Sequence, residues 1–279
     1  MTTRVWTGAA DATTFATAGN WSPSGAPSNG DTLIYRDTNH TVTGAATGLS
    51  SITLQVTPGF TGQLGSLTTY LDLDCTLVEY ASGGFQSFLT GTWTDLRLTG
   101  GSSSNTFLDL KGDASTTITN ITSSRLNGTL VINSSAAVTN ITMTGSNNGV
   151  IDIKSGVSGL TKITASSGHV KLASNCTTVD VLGGQLTTSD SAAITTLEVD
   201  GGGTVNHNTS GTLTTLELYE GTFNTRQNES TSYTVTNATI YTSGRLFIDS
   251  PINNGVFTNP VLFLGGQSRF PLGATVTFS

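Results

Sequence analysis

Three carboxylates recur at one place in successive copies of a short pattern. Cys176-Thr-Thr-Val, Ile194-Thr-Thr-Leu and Leu213-Thr-Thr-Leu are each followed at once by an acid: Asp180, Glu198 and Glu217. If each copy is one strand of a parallel stack, these side chains leave the same face about one strand separation, ~4.8 Å, apart. Such a column suits a retaining glycosidase pair, whose carboxyls lie roughly 5 Å apart, or a divalent-cation site. It equally suits a solvated acidic face, the ordinary fate of exposed carboxylates.

Other residues of reactive type are less organised. In Leu71-Asp72-Leu73-Asp74 the two acids alternate with leucines, so both point outward, as an ion site or a solvated face. His207 falls on the inward side, level with Thr188 and Thr225, and reads as a neutral histidine in an internal polar ladder rather than as a ligand or base. His40 and His169 have no partner that the sequence identifies. Cys75 and Cys176 show neither CxxC nor metal-ligand spacing and are expected to be small buried apolar residues. Gly201-Gly202-Gly203 precedes a strand instead of opening a helix, so it is a corner requiring positive φ rather than a phosphate loop. No G-x-S-x-G or H-E-x-x-H motif occurs, nor an NTD or GHG signature of sugar-cleaving β-helices, which Gly168-His169-Val170 does not complete. No cofactor or metal is expected.

The elements that must position these residues are visible as a repeat. The pattern apolar, Thr or Ser, polar, apolar occurs at Leu49, Leu67, Trp93, Ile118, Val138, Leu160, Cys176, Ile194, Leu213, Val235 and Phe257, a mean period of about 21 residues. A second marker keeps step with it. Gly128, Gly149, Gly168, Gly184, Gly203, Gly221 and Gly244 each open a short alternating strand whose second residue after Gly is apolar: Leu130, Ile151, Val170, Leu186, Val205, Phe223 and Leu246. Two markers sharing one period predict an all-β, right-handed parallel β-helix (β-solenoid) of about eleven rungs, with these apolar residues in one inward column. At the Thr bend, Asn120, Asn140, Asn237 and Asn259 alternate with Thr178, Thr196 and Thr215, so stacked side chains are expected to bond from rung to rung.

Composition narrows the partners. Hydrophobic content of 35% predicts a folded chain, and the low charged fraction of 10% with 33 Gly favours strands and turns over helix. A net charge of -7 with scattered basic residues argues against nucleic acid. The opening MTTRVWTGAADATTF has no apolar core of signal-peptide length, and no stretch approaches a membrane span, so neither secretion-pathway entry nor a bilayer is expected. Val131, Val150 and Phe247 on the outward side of the Gly-led strands hint at lateral contact with another subunit.

A stack of rungs has two ends that need covers. Residues 1–48 lack the repeat and form the N-terminal cap or docking segment, with Trp6, Trp21 and Asp31 as its marked residues; 49–256 is the β-helix; 257–279, with Pro260 and FPLGATVTF, is the last rung and C-terminal cap. The segment Trp6-Thr-Gly, Asn20-Trp-Ser, Pro27-Ser-Asn-Gly-Asp-Thr-Leu-Ile resembles the W-x-G, N-W-S, P-x-x-G-D-x-[LV]-I opening of bacterial and phage β-solenoid surface proteins. The resemblance implies an extracellular or virion-surface scaffold: a phage capsid-decoration or similar structural protein, non-catalytic, binding capsid or other virion proteins, and trimeric. Two alternatives stand beside it. One is a tailspike-like protein that binds or depolymerises a surface glycan with Asp180, Glu198 and Glu217; the other is a bacterial adhesin fragment.

Overall fold

The computed structural model describes residues 1–44, 48–81, 83–84, 86–100, 106–145, 148–225, 232–248 and 255–269. It is a parallel β-solenoid of about 10 turns, and its one regular helical element among those residues is a 3-10 turn at Ala18–Asn20. Two compact units divide the chain: Met1–Val138 with Gly145–Ile151, and Thr139–Thr144 with Asp152–Ser279.

In the first unit the strand Thr32–Tyr35 is followed in parallel register by Ile52–Val56, Cys75–Tyr80, Thr92–Leu98 and Thr117–Ser123. A second stack places Leu71–Asp72, Ser87–Thr90, Thr106–Leu110 and Thr129–Ile132 in the same order. In the second unit Lys162–Ala165, Cys176–Val181, Ile194–Val199, Thr212–Asn224 and Thr234–Phe247 pair successively, while His169–Leu172, Gln185–Thr188 and Gly203–His207 form the neighbouring stack.

The inward column is as the alternation predicts. Leu130, Ile151, Val170, Leu186, Val205, Phe223 and Leu246 are all 0% exposed. Full burial of each such side chain contributes roughly 1.5–3 kcal/mol. The Thr pattern marks a bend inside a continuous strand rather than a break between strands. In Thr117–Ser123 the residues Ile118 and Ile121 are both buried, with Thr119 and Asn120 turned out between them. Two outward residues in a row reverse the alternation, so the register passes from Trp93↔Ile118 to Asp95↔Asn120 and omits the threonine pair. The same omission recurs at Thr177, Thr195 and Thr214.

Two of the expected anchors are corrected. Leu67 lies in a turn closed between Ser66 and Thr69 and is 71% exposed, and Leu49 precedes the strand whose buried first residue is Ile52. The anchor in that region is Cys75-Thr76-Leu77-Val78, with Cys75 opposite both Ile52 and Trp93. The Gly markers also gain a cause. A Cβ on Gly203, Gly221 or Gly244 would stand 2.4–2.5 Å from a carbonyl oxygen of the preceding rung, so only glycine lets the backbones close.

Candidate functional site

The carboxylate column forms as expected. Asp180 pairs with Glu198, and Glu198 with Glu217, on three successive rungs of the second unit. All three are half-buried, and two of them are tied to neighbours. Lys162 Nζ lies 2.8 Å from Asp180 Oδ2, and the Tyr219 hydroxyl donates to Glu217 Oε2 at 3.1 Å. Tyr219 in turn stacks on Tyr241 with ring centroids 4.1 Å apart. Burial, and then the charges of Asp180 and Glu217, raise the Glu198 carboxyl above the usual range. The register therefore puts the three backbones at strand separation, ~4.8 Å, and the column stands on an outward sheet face. None of the three lines the hollow at Ser155–Thr161 or the one at Glu220–Thr222 and Thr242–Ser243, and no cluster of three or more His, Cys, Asp or Glu suited to a metal ion occurs among the described residues.

His207 is inward, as its register with Thr188 predicts, and 1% exposed. Its Nδ1 is 3.2 Å from Thr188 Oγ1, while its Nε2 is buried without a partner. Phe223 and Tyr233 pack on the ring at centroid distances of 5.1 and 5.6 Å. Burial pushes its pKa down to about 4, so the ring is neutral. His40 accepts a bond from the Trp6 indole, and His169 Nε2 is 2.9 Å from Thr187 Oγ1. Asp72 and Asp74 do not converge on a site: Asp74 accepts the Thr92 amide at 2.7 Å, while burial, then Asp74, raises the Asp72 carboxyl. Both cysteines are buried and free, and burial pushes the Cys176 thiol up to about 11.

Trp6, Trp21 and Asp31, the marked residues of the expected cap or docking segment, are buried within it. Trp6 and Trp21 are 1% and 2% exposed and meet edge to face at 5.1 Å, in a cluster with Phe15, Tyr35 and Phe60. An aromatic side chain that covers the open end of a hydrophobic stack loses most of its surface to that core, so neither indole is offered to a partner. Asp31 is wholly buried. It accepts the Thr2 amide at 2.7 Å, Arg4 Nε at 2.8 Å and both the amide and hydroxyl of Ser28. Burial alone would raise its carboxyl; the bonds from Arg4, Thr2 and Ser28 outweigh it and bring the pKa down to about 2. This carboxylate fastens the strand Thr3–Trp6 across Thr32–Tyr35. Asn20 does the same for the preceding loop, accepting the amides of Ala10 and Asp11 and donating to Thr14 O. The W-x-G, N-W-S and G-D residues are thus the joints of one folded cover.

The asparagine ladder exists in pieces. Asn120 donates to Asp95 at 2.9 Å, and Asn259 donates to Asn237 at 2.7 Å, while Asn140 lies opposite Lys162. Outward Val131, Val150 and Phe247 are half-buried. Expected cap residues Phe270–Phe278 lie outside the described residues.

The groove was not foreseen from sequence. In the second unit a hollow of about 770 Å³ is lined by the loop Ser155–Thr161 and by the rungs beginning at Ala173, Ser191 and Thr212. Its lining gathers residues from Ser155 to Thr214 across several turns, each unremarkable alone, so no local pattern signals it. No family model matches this chain, and no curated protein or solved structure is significantly similar to it.

Proposed function

We propose that this protein is a non-catalytic structural component of a bacteriophage virion surface, a capsid-decoration protein or similar part. It would act through contacts with capsid or other virion proteins, as a trimer. The observation that carries this reading is how the chemistry-bearing side chains are used. Asp31 with Arg4, Asp180 with Lys162 and Asp95 with Asn120 each join one rung or strand to another. Groups spent on internal ties suit a rigid exterior part, in which every rung satisfies its backbone on its neighbours. The folded cover built by the N-terminal motif supports the same reading, since that motif carries the likeness to surface solenoids.

The test is to band particles from the source culture on a density gradient and quantify this chain against the most abundant shell protein by mass spectrometry. Copy numbers comparable with the shell protein support decoration; absence from particles overturns it and favours the adhesin. A few copies per particle would favour a spike. The stacked pair Tyr219 and Tyr241 beside Glu217 is what speaks for that second reading, a glycan-depolymerising protein. Digestion of host polysaccharide that is lost in Glu198→Gln or Glu217→Gln would establish it.

A further inference from the structure

We infer that the groove of the second unit binds a neutral, hydroxyl-rich polymer, a chain of uncharged sugars. The inference concerns this unit alone and does not depend on a virion location. It starts from the lining. Although the chain carries a net charge of -7, not one Asp, Glu, Lys or Arg lines this groove. Its polar surface is supplied by Ser, Thr and Asn side chains, and apolar surface is left to the half-buried Ala173 and Ala193, since Val157, Leu160 and Ile194 are almost wholly buried beneath it.

Three hydroxyls are available there. Thr177, Thr195 and Thr214 are exposed, line the groove on successive rungs, and make no side-chain hydrogen bond among the described residues. Each hydroxyl can donate once and accept twice. Because each stands between two residues that are paired from rung to rung, Cys176 and Thr178, Ile194 and Thr196, Leu213 and Thr215, the three recur at the rung spacing of ~4.8 Å. The lining thus offers the same donor and acceptor again and again along one direction, with apolar patches between.

Other ligand classes fit this surface poorly. Nucleic acid and other polyanions require Lys or Arg to replace counterions, and the lining has neither. A cation requires carboxylates, which are likewise missing from it. An extended peptide docks by pairing its backbone with a free strand edge. The strands Cys176–Val181, Ile194–Val199 and Thr212–Asn224 are already paired on both sides, so the groove has no edge to give. A neutral polysaccharide matches what is left: hydroxyls that both donate and accept, CH faces for the apolar patches, and a repeating unit to follow a repeating surface.

The experiment is affinity electrophoresis of the whole chain through gels holding dextran, mannan or galactan, with polygalacturonate as the anionic comparison. At least one neutral polymer is expected to retard the protein, and polygalacturonate is not. Thr195→Arg and Thr177→Arg place bulk and charge at exposed positions in the groove and are expected to weaken retardation at least tenfold, while Thr195→Ser retains it. Thr119→Arg, at the matching position of Thr117–Ser123 in the first unit, is expected to behave as the unaltered chain. Circular dichroism confirms that each variant is folded. Retardation by none of the neutral polymers, retardation by polygalacturonate alone, or equal effects of Thr195→Arg and Thr119→Arg would overturn the inference. None of these outcomes bears on whether the chain is found in particles.

Discussion

Acid tests the interior of the solenoid through His207. The folded ring takes up a proton only near pH 4, whereas an unfolded chain does so at the ordinary 6.5. Below pH 6.5 the unfolded state therefore holds more protons, and stability falls as the pH falls, until both states are protonated near pH 4. With each tenfold change in proton affinity worth about 1.36 kcal/mol, the loss approaches roughly 3 kcal/mol. Its structural cause is direct. The protonated ring is a donor at both nitrogens, although Nε2 is buried without an acceptor, and it brings a charge among Phe223, Tyr233 and Thr188. The assay is urea denaturation from pH 8 to pH 4, run on the unaltered chain and on His207→Leu. Other acid-sensitive groups contribute to both proteins: half-buried His169, whose pKa is lowered chiefly by burial, and the bonded carboxyl of Asp31, which acts below about pH 4. They cancel in the difference between the two curves. That difference should shift by about 3 kcal/mol over the window, with unaltered protein the loser in acid. A flat difference, or a His207 titration by NMR at or above pH 6.5, would refute the reasoning.

Four further outcomes are expected. Asp31→Asn should lower stability by roughly 3 kcal/mol, because the wholly buried acceptor of Thr2, Arg4 and Ser28 loses its charge and half-buried Arg4 its counter-charge, and hydrogen exchange should open first at Thr3–Trp6. Glu198→Gln should raise stability at pH 7 by about 0.5 kcal/mol, since a carboxyl whose pKa is raised by folding destabilises the fold when ionised; the gain should vanish near pH 4 and shrink in 1 M salt. A loss instead would mean that the carboxylate does favourable work there. Gly221→Ala, whose Cβ meets Gly203 O at 2.5 Å, should cost about 1–3 kcal/mol by overpacking, visible as a lower urea midpoint. Gly202→Ala has open space and only its positive φ to oppose it, so it should cost about 1 kcal/mol.

The repeat was legible because one bend needs one pattern. Ile118, Val138, Ile194 and Leu213 are anchors for the same reason: each sits inward immediately before two outward residues. The acid register followed from it, since a residue one place beyond the second inward position points out on every rung. Where the reading slipped, at Leu49 and Leu67, the same four-residue pattern occurs by chance in connecting chain, and only the neighbour's hydrogen bonds decide which copy is the rung. The cap shows a different limit. A tryptophan or an aspartate that closes a core from within has the same letter as one that meets a partner, and burial separates them only when the rest of the fold is assembled. The groove was invisible for a related reason, being the sum of small side chains from several turns.

The invariant bend also sets where this chain can grow. From inward anchor to inward partner each rung spends the same number of residues, as in Cys176–Val179, Ile194–Leu197 and Leu213–Leu216, and each is clamped above and below. All variation in rung length must then fall outside the bend, in segments such as Ser155–Thr161. Those segments are sites at which foreign sequence can be inserted while the clamped bends go on counting out the next turn. The solenoid is in this sense a ruler with free margins: an engineer could load one margin without shifting the scale.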